Sequence, residues 1–227
     1  MFFIGKKEFF CYLAAVLLTA LSGLGIFAVS HTVASSVTPI GAVVAIDPGH
    51  GGYDGGVVGV SGSKESELNL KIALELGEIL TAKGVKVVYT RTEDVALGDT
   101  KREDMAQRAR IIKESRPDCV ISVHLNSYPD KNRRGVQVFY DDTGRGQSFA
   151  SFMQERLNAS INYKYSKRAD LAPQAGDFYI TKCCAVPSVI IECGFISNAE
   201  DDGLLKTSAF RRELCDEIAD AVLFAVN

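Results

Sequence analysis

From Val43 onward, short runs rich in β-branched residues alternate with stretches of helical period, and that alternation restricts the chain to an α/β sheet with crossover helices. Val43–Asp47, Lys86–Thr90, Cys119–Val123, Val136–Tyr140 and Ser188–Ile191 are predicted as strands. Leu68, Ile72, Leu76 and Ile79 recur every three to four residues, so an amphipathic helix is expected over 66–83, with Gly84 as its stop. Further helices are expected over 104–114, ending before Pro117, over 146–161, and through Phe210, Leu214, Ile218, Val222 and Ala225. The expected fold is a single domain: a mostly parallel twisted sheet flanked by helices, with no internal repeat.

The N-terminus has a different composition. Phe9 to Val29 carries no charge, follows Lys6 and Lys7, and precedes Ser/Thr-rich sequence up to Thr38. That is an export signal, longer than a cleavable signal core and close to the roughly 20 residues that span a bilayer. Residues 1–30 are therefore expected to be an uncleaved membrane anchor or a cut signal, 31–41 a linker and 42–227 the catalytic domain. The absence of further Lys or Arg before Lys64 puts that domain outside the cytoplasm. A formal net charge of −3 removes the electrostatic case for a nucleic-acid partner. The basic cluster Lys131, Arg133, Arg134 is read as a solvated loop. Of six cysteines, Cys11 lies in the apolar segment, so at least one of the other five stays unpaired. Cys119 and Cys193 read as small core residues, and a bond between Cys183 and Cys184 would be strained.

Chemistry-bearing residues gather at predicted strand ends: His50 beyond the first, His124 directly after Cys119–Val123, and Glu192 directly after Ser188–Ile191. In open α/β sheets the carboxyl edge of the strands is where loops diverge and ligands bind. The glycine-dense stretch Asp47 to Gly56 is neither a P-loop, lacking the Lys-Ser/Thr pair, nor a dinucleotide loop, since the sixth position from Gly49 is Asp54. Its glycines let the backbone turn and leave His50 accessible to a metal. Hydrolytic zinc takes three nitrogen or oxygen ligands and keeps a fourth position for water. A carboxylate must complete the set, and Glu65 and Glu67 are both available, with a modest preference for Glu65; either could instead simply suit a helix N-terminus. Asp47 is a candidate to accept a histidine's second N–H, or equally to cap the glycine turn. Asn126 could hold substrate or brace the loop after His124, and Arg108 could pair with a local acid.

Four segments carry a family resemblance: Ala45 to Gly52, Glu65-Ser66-Glu67 before Leu-Asn-Leu, Ser122 to Ser127, and Ile191 to Asn198. Together they resemble the motifs of zinc-dependent N-acetylmuramoyl-L-alanine amidases of the amidase 3 type. The resemblance implies that one zinc ion is held by His50, Glu65 and His124, that Glu192 is the catalytic acid and base, and that Glu65 rather than Glu67 is the ligand. It implies peptidoglycan as substrate. A membrane-proximal segment followed directly by the domain, without wall-binding repeats, is most similar to spore-cortex, germination-specific amidases. That implies muramic-δ-lactam formation alongside a deacetylase, and an accessory lipoprotein partner. Ser66-Glu67 departs from the Lys-Asp of many relatives and bears on helix capping rather than metal binding. Two other classes compete: an inactive wall-binding module on the same fold, and a thiol enzyme built on Cys193.

Overall fold

Among the described residues six strands pair into one sheet, in the order β2 (Lys86–Tyr89), β1 (Val43–Pro48), β3 (Cys119–Asn126), β6 (Ser188–Phe195), β4 (Gln137–Asp141), β5 (Gln174–Gly176). The computed structural model describes residues 41–167 and 170–226. The expected export segment 1–30 and residues 31–40 of the expected linker lie outside them. Among the described residues no helix is long and apolar enough to cross a membrane. β1 (Val43–Pro48), β2 (Lys86–Tyr89), β3 (Cys119–Asn126) and β6 (Ser188–Phe195) run parallel. β4 (Gln137–Asp141) lies antiparallel to β6, and the three-residue β5 (Gln174–Gly176) is parallel to β4. The sheet is therefore mostly parallel, as expected.

Strand alternation divides the side chains between two unequal layers. Val44, Ile46, Ile121, Val123, Val189 and Ile191 enter the large core, beneath the helices Glu65–Ala82, Gln147–Leu157 and Ser208–Val226. On the opposite face Ala45, Val120 and Ile190 form a small cluster with Ile112 and Ile180, from the helices Lys101–Ser115 and Tyr179–Lys182. Cys119 and Cys193 are buried in the large core, and the five cysteines among the described residues are free thiols.

Local signals explain the helix ends. Thr100 starts its helix with a reciprocal capping box to Glu103, three residues earlier than expected. Gly84, at φ 86°, ends the first helix as expected. Past Leu157 the expected α-helix becomes a π-helix, Asn158–Ser166. The short helix Ala199–Leu205, unanticipated from its few apolar residues, is capped by Asn198.

Candidate metal centre

Two placements need correction: His124 and Glu192 lie inside their strands, not beyond them. Pairing of β3 with β6 continues through His124↔Glu192 and, after an irregularity, Asn126↔Phe195. Because parallel partners share a face, His124 and Glu192 project on the same side, the thinly covered one. There the Lys101–Ser115 helix leaves the sheet's carboxyl edge open, and a cleft of about 450 Å³ is lined by His50, His124, Arg108, Phe178, Tyr179 and Ile190.

His50 reaches the same edge from the glycine loop, in the left-handed backbone region at φ 62°. Glu65 opens the Glu65–Ala82 helix and is buried. His50 Nε2 and His124 Nδ1 lie 3.2 and 3.1 Å from the same Glu65 Oε1. The three side chains offer ligand atoms that all fall within 4.8 Å of one another, a group that could hold a metal ion. Tetrahedral ligands bound to one zinc at ~2.1 Å are spaced by about 3.4 Å, close to the observed separations. The donor set fits as well. His50 Nδ1 lies 3.0 Å from Asp54 Oδ2 while its Nε2 faces Glu65, and a neutral imidazole has only one proton for two carboxylates. A cation at Nε2 frees the proton for Nδ1 and the Asp54 side.

The remaining bonds keep the carboxylate in place. Glu65 Oε2 accepts from Val57 N at 3.0 Å, and Oε1 from Leu125 N at 3.2 Å. Burial would raise the Glu65 carboxyl, but its contacts with His124 and His50 outweigh it and hold the group far below the usual carboxylate range. Burial disfavours a charged His50, yet Glu65 and Asp54 raise its pKa. Two glycines matter by their lack of a side chain: a Cβ on Gly49 would sit 2.2 Å from the His124 ring, and one on Gly56 2.6 Å from Glu65 Oε2. Glu67 lies at the same helix start but faces Lys64, at 3.4 Å.

Glu192 stands one strand from His124 with a buried Oε2 that has no hydrogen-bond partner among the described residues. Burial pushes its carboxyl up to about 7, with Glu65 adding to the rise and the two histidines opposing it. A divalent cation held by the neighbouring ligands would draw that value back down. Cys193 points the other way, into the large core, where burial pushes its thiol well up. This removes the thiol-enzyme reading.

Neither role expected for Asp47 is the one it plays. Its carboxylate accepts from Thr90 Oγ1 (2.6 Å), Ser122 Oγ (2.8 Å) and Arg108 Nη1 (2.9 Å), and Asp54 is the acid beside a candidate ligand histidine. Arg108 does pair with a local acid, Asp104, and also donates to the carbonyls of Pro48 and His50. Arg91, unanticipated, donates to the carbonyls of Pro48, Gly49 and Ser66. Burial, with Arg108 alongside, lowers Arg91 to about 10, so it remains charged at neutral pH. Arg91 thereby ties the His50 loop to the helix start that carries Glu65, and Arg108 ties the same loop to the Lys101–Ser115 helix. Asn69, one turn beyond Glu65, joins them through Gly49 O at 3.2 Å. The available signals were a charged residue directly after an apolar strand, for Arg91, and an Asn on the apolar face of a helix, for Asn69.

Arg108→Ala leaves the Asp47 charge buried without its cation, and a loss of about 3–5 kcal/mol in urea unfolding is expected. Burial would raise Asp47, but Arg108 and Thr90 hold it below 3.8. A depressed acid stabilises the fold above its unfolded pKa, and that contribution fades as pH falls through the lower folded value. The variant should therefore lose less stability than the wild type as pH falls below 3.8; an identical acid limb would remove the pairing argument.

The chain's similarity to known proteins agrees with this geometry. The profile of the Amidase_3 family, described as N-acetylmuramoyl-L-alanine amidase, matches residues 44–223. The germination-specific N-acetylmuramoyl-L-alanine amidase of Bacillus subtilis is 29% identical over 192 residues, covering 81% of this chain and 79% of that one. Among solved structures, the CwlD amidase of Clostridioides difficile in complex with the GerS lipoprotein superposes with a TM-score of 0.75 at 28% identity, over 81% of this chain and 98% of that one. The amidase AmiC2 of Nostoc punctiforme gives 0.71 at 26% identity, over 81% and 96%.

Proposed function

The chain belongs to the Amidase_3 family of N-acetylmuramoyl-L-alanine amidases, and on that premise we propose that it is a zinc-dependent peptidoglycan hydrolase with His50, Glu65 and His124 as metal ligands and Glu192 as acid and base. The reaction is hydrolysis of the amide between the lactyl carbonyl of N-acetylmuramic acid and the L-alanine of the stem peptide. The observation that carries this reading is the convergence of two imidazoles on one Glu65 oxygen, with a carboxyl on the adjacent strand whose buried Oε2 has no hydrogen-bond partner among the described residues. Zinc bound there would supply Lewis acidity, polarising the carbonyl and acidifying a water. Glu192 takes the proton of the attacking water and delivers one to the departing nitrogen, since an amine anion is a very poor leaving group. Glu65, fixed by two backbone N–H groups, stays ionised throughout. Arg91 and Arg108 hold the His50 loop so that its imidazole stays aimed.

The setting we propose is spore-cortex maturation outside the cytoplasm: residues 1–30 deliver or anchor the chain, 31–41 link, and 42–227 cut. The peptide is removed ahead of muramic-δ-lactam formation, in company with a deacetylase. Support comes from the germination-specific relative and from CwlD, whose complex with the GerS lipoprotein also supports an accessory lipoprotein partner here.

The bond assignment is tested by incubating the purified outer domain with defined muropeptides and identifying products by mass spectrometry. Intact peptide and intact glycan are expected. Released sugars or cleavage within the stem would reject the assigned bond, and binding without cleavage would leave a wall-binding module.

A further inference from the structure

The face that presents His124 and Glu192 continues outward across the sheet. Gln137 of β4 is the register partner of Glu192, Phe139 is that of Ile190, and Gln174 of β5 follows opposite Phe139. Directly opposed residues share a face, so a line of side chains runs from the metal centre to the sheet edge. Beyond Glu192 it opens into a second cleft of about 570 Å³, lined by Asn126, Tyr128, Arg133, Gln137, Gln174 and Phe195 among others. Phe139, which lines this cleft, packs at 5.8 Å edge-on against Phe178, which lines the cleft around the histidines, so the two clefts flank one aromatic pair.

The polar groups of this cleft are unevenly occupied. Arg134 is neutralised by Glu200 and Asp201 and donates to Tyr165 O. Arg133 has no carboxylate partner among the described residues; its guanidinium lies over the Tyr128 ring, 4.2 Å from the centroid, which orients the charge without cancelling it. The acid in the lining, Asp170, has an interaction of its own. Gln137 and Gln174 each donate from the side-chain amide to Ala172 O, which turns their oxygens away as acceptors. Asn126, two residues after His124, has a side-chain amide with no bond to a described residue. Peptide-like hydrogen-bonding groups, an apolar wall at Phe139 and Phe195 and a cation left uncompensated among the described residues suit an extended acidic peptide.

Resting on the amidase reading, we infer that this cleft receives the peptide that follows the scissile amide, and that Arg133 selects a free carboxylate on one of its first residues. Two strand spacings separate β6 from β5, about 10 Å, which an extended peptide covers in about three residues. The carboxylate read is therefore one close to the cut, not the far end of the stem.

The test compares N-acetylmuramoyl-L-alanyl-D-glutamic acid with the same compound carrying an amide in place of the glutamate α-carboxylate. The zinc-loaded full chain should prefer the acid by about tenfold in kcat/KM, chiefly through KM, as expected of one charge-assisted contact. Arg133→Ala should bring the ratio close to one and Arg133→Glu should invert it. Arg133 is an exposed loop residue, so misfolding will not mimic a change of ratio. An acid preference that survives both substitutions, or wild-type indifference to the carboxylate, overturns the assignment while leaving the amidase reading intact. Calorimetric binding of both compounds to the zinc-loaded wild type and Glu192→Gln proteins separates the opposite case. Arg133-dependent binding of the acid without any cleavage removes the amidase reading and keeps the cleft; no binding and no cleavage removes both.

Discussion

A Glu192→Gln protein is expected to keep its fold and its metal yet lose turnover by about a thousandfold, within the range by which a positioned acid and base accelerates proton transfer. The amide has the shape of the carboxyl but cannot accept the water's proton and return it to the leaving nitrogen. Folding should not suffer, because Oε2 makes no hydrogen bond that the change would break. A group whose pKa burial drives to about 7 is held at a desolvation cost, and replacing it with a neutral amide relieves that cost. Compared metal-free, the expected melting temperature is equal to or above that of the wild type, since a bound cation would offset the carboxyl's desolvation. Turnover on a muropeptide, zinc content and thermal melting measured on one preparation check the claim. Turnover within tenfold of wild type would remove Glu192 from the chemistry; lost zinc would make it a ligand or a brace instead.

Stripping the metal has the second large effect. Chelation is expected to take hydrolysis to background and zinc to restore it, because the remaining groups neither polarise the carbonyl nor acidify water. Stability should move with activity. An ion that binds the folded chain alone adds about 4 kcal/mol when present at a thousandfold its dissociation constant. Its removal also leaves His50 facing carboxylates at both ring nitrogens. Glu65→Gln should reproduce both losses and resist rescue by added zinc, since the amide nitrogen turns a donor towards either the Val57 or the Leu125 N–H. Full activity in excess chelator, or a melting temperature indifferent to zinc, would contradict the assigned ligands.

The strands and main helices were legible because their apolar periods are long. Elements with few apolar residues were not: β5, at three residues, has no measurable alternation, and the helix Ala199–Leu205 is announced only by its Asn198 cap. Residue order could not tell Glu65 from Glu67, since both open the same helix. One turns in, between Val57 N and Leu125 N, and the other reaches Lys64 at the surface. Asp54 and Asp47 flank the same glycine loop, and only their partners show which acid stands beside the His50 ring.

What the sequence determined by itself was the α/β class, the carboxyl edge as the place for chemistry, and the residue types that could do it, because periodicity and strand ends are local properties of the chain. The tertiary structure decided which atoms meet. The pairing of β3 with β6 sets His124 beside Glu192, and Arg91 and Arg108 reach across from other elements to hold the Pro48–His50 backbone. Side-chain contacts between residues tens of positions apart depend on strand register and on burial, and neither quantity belongs to a short stretch of sequence.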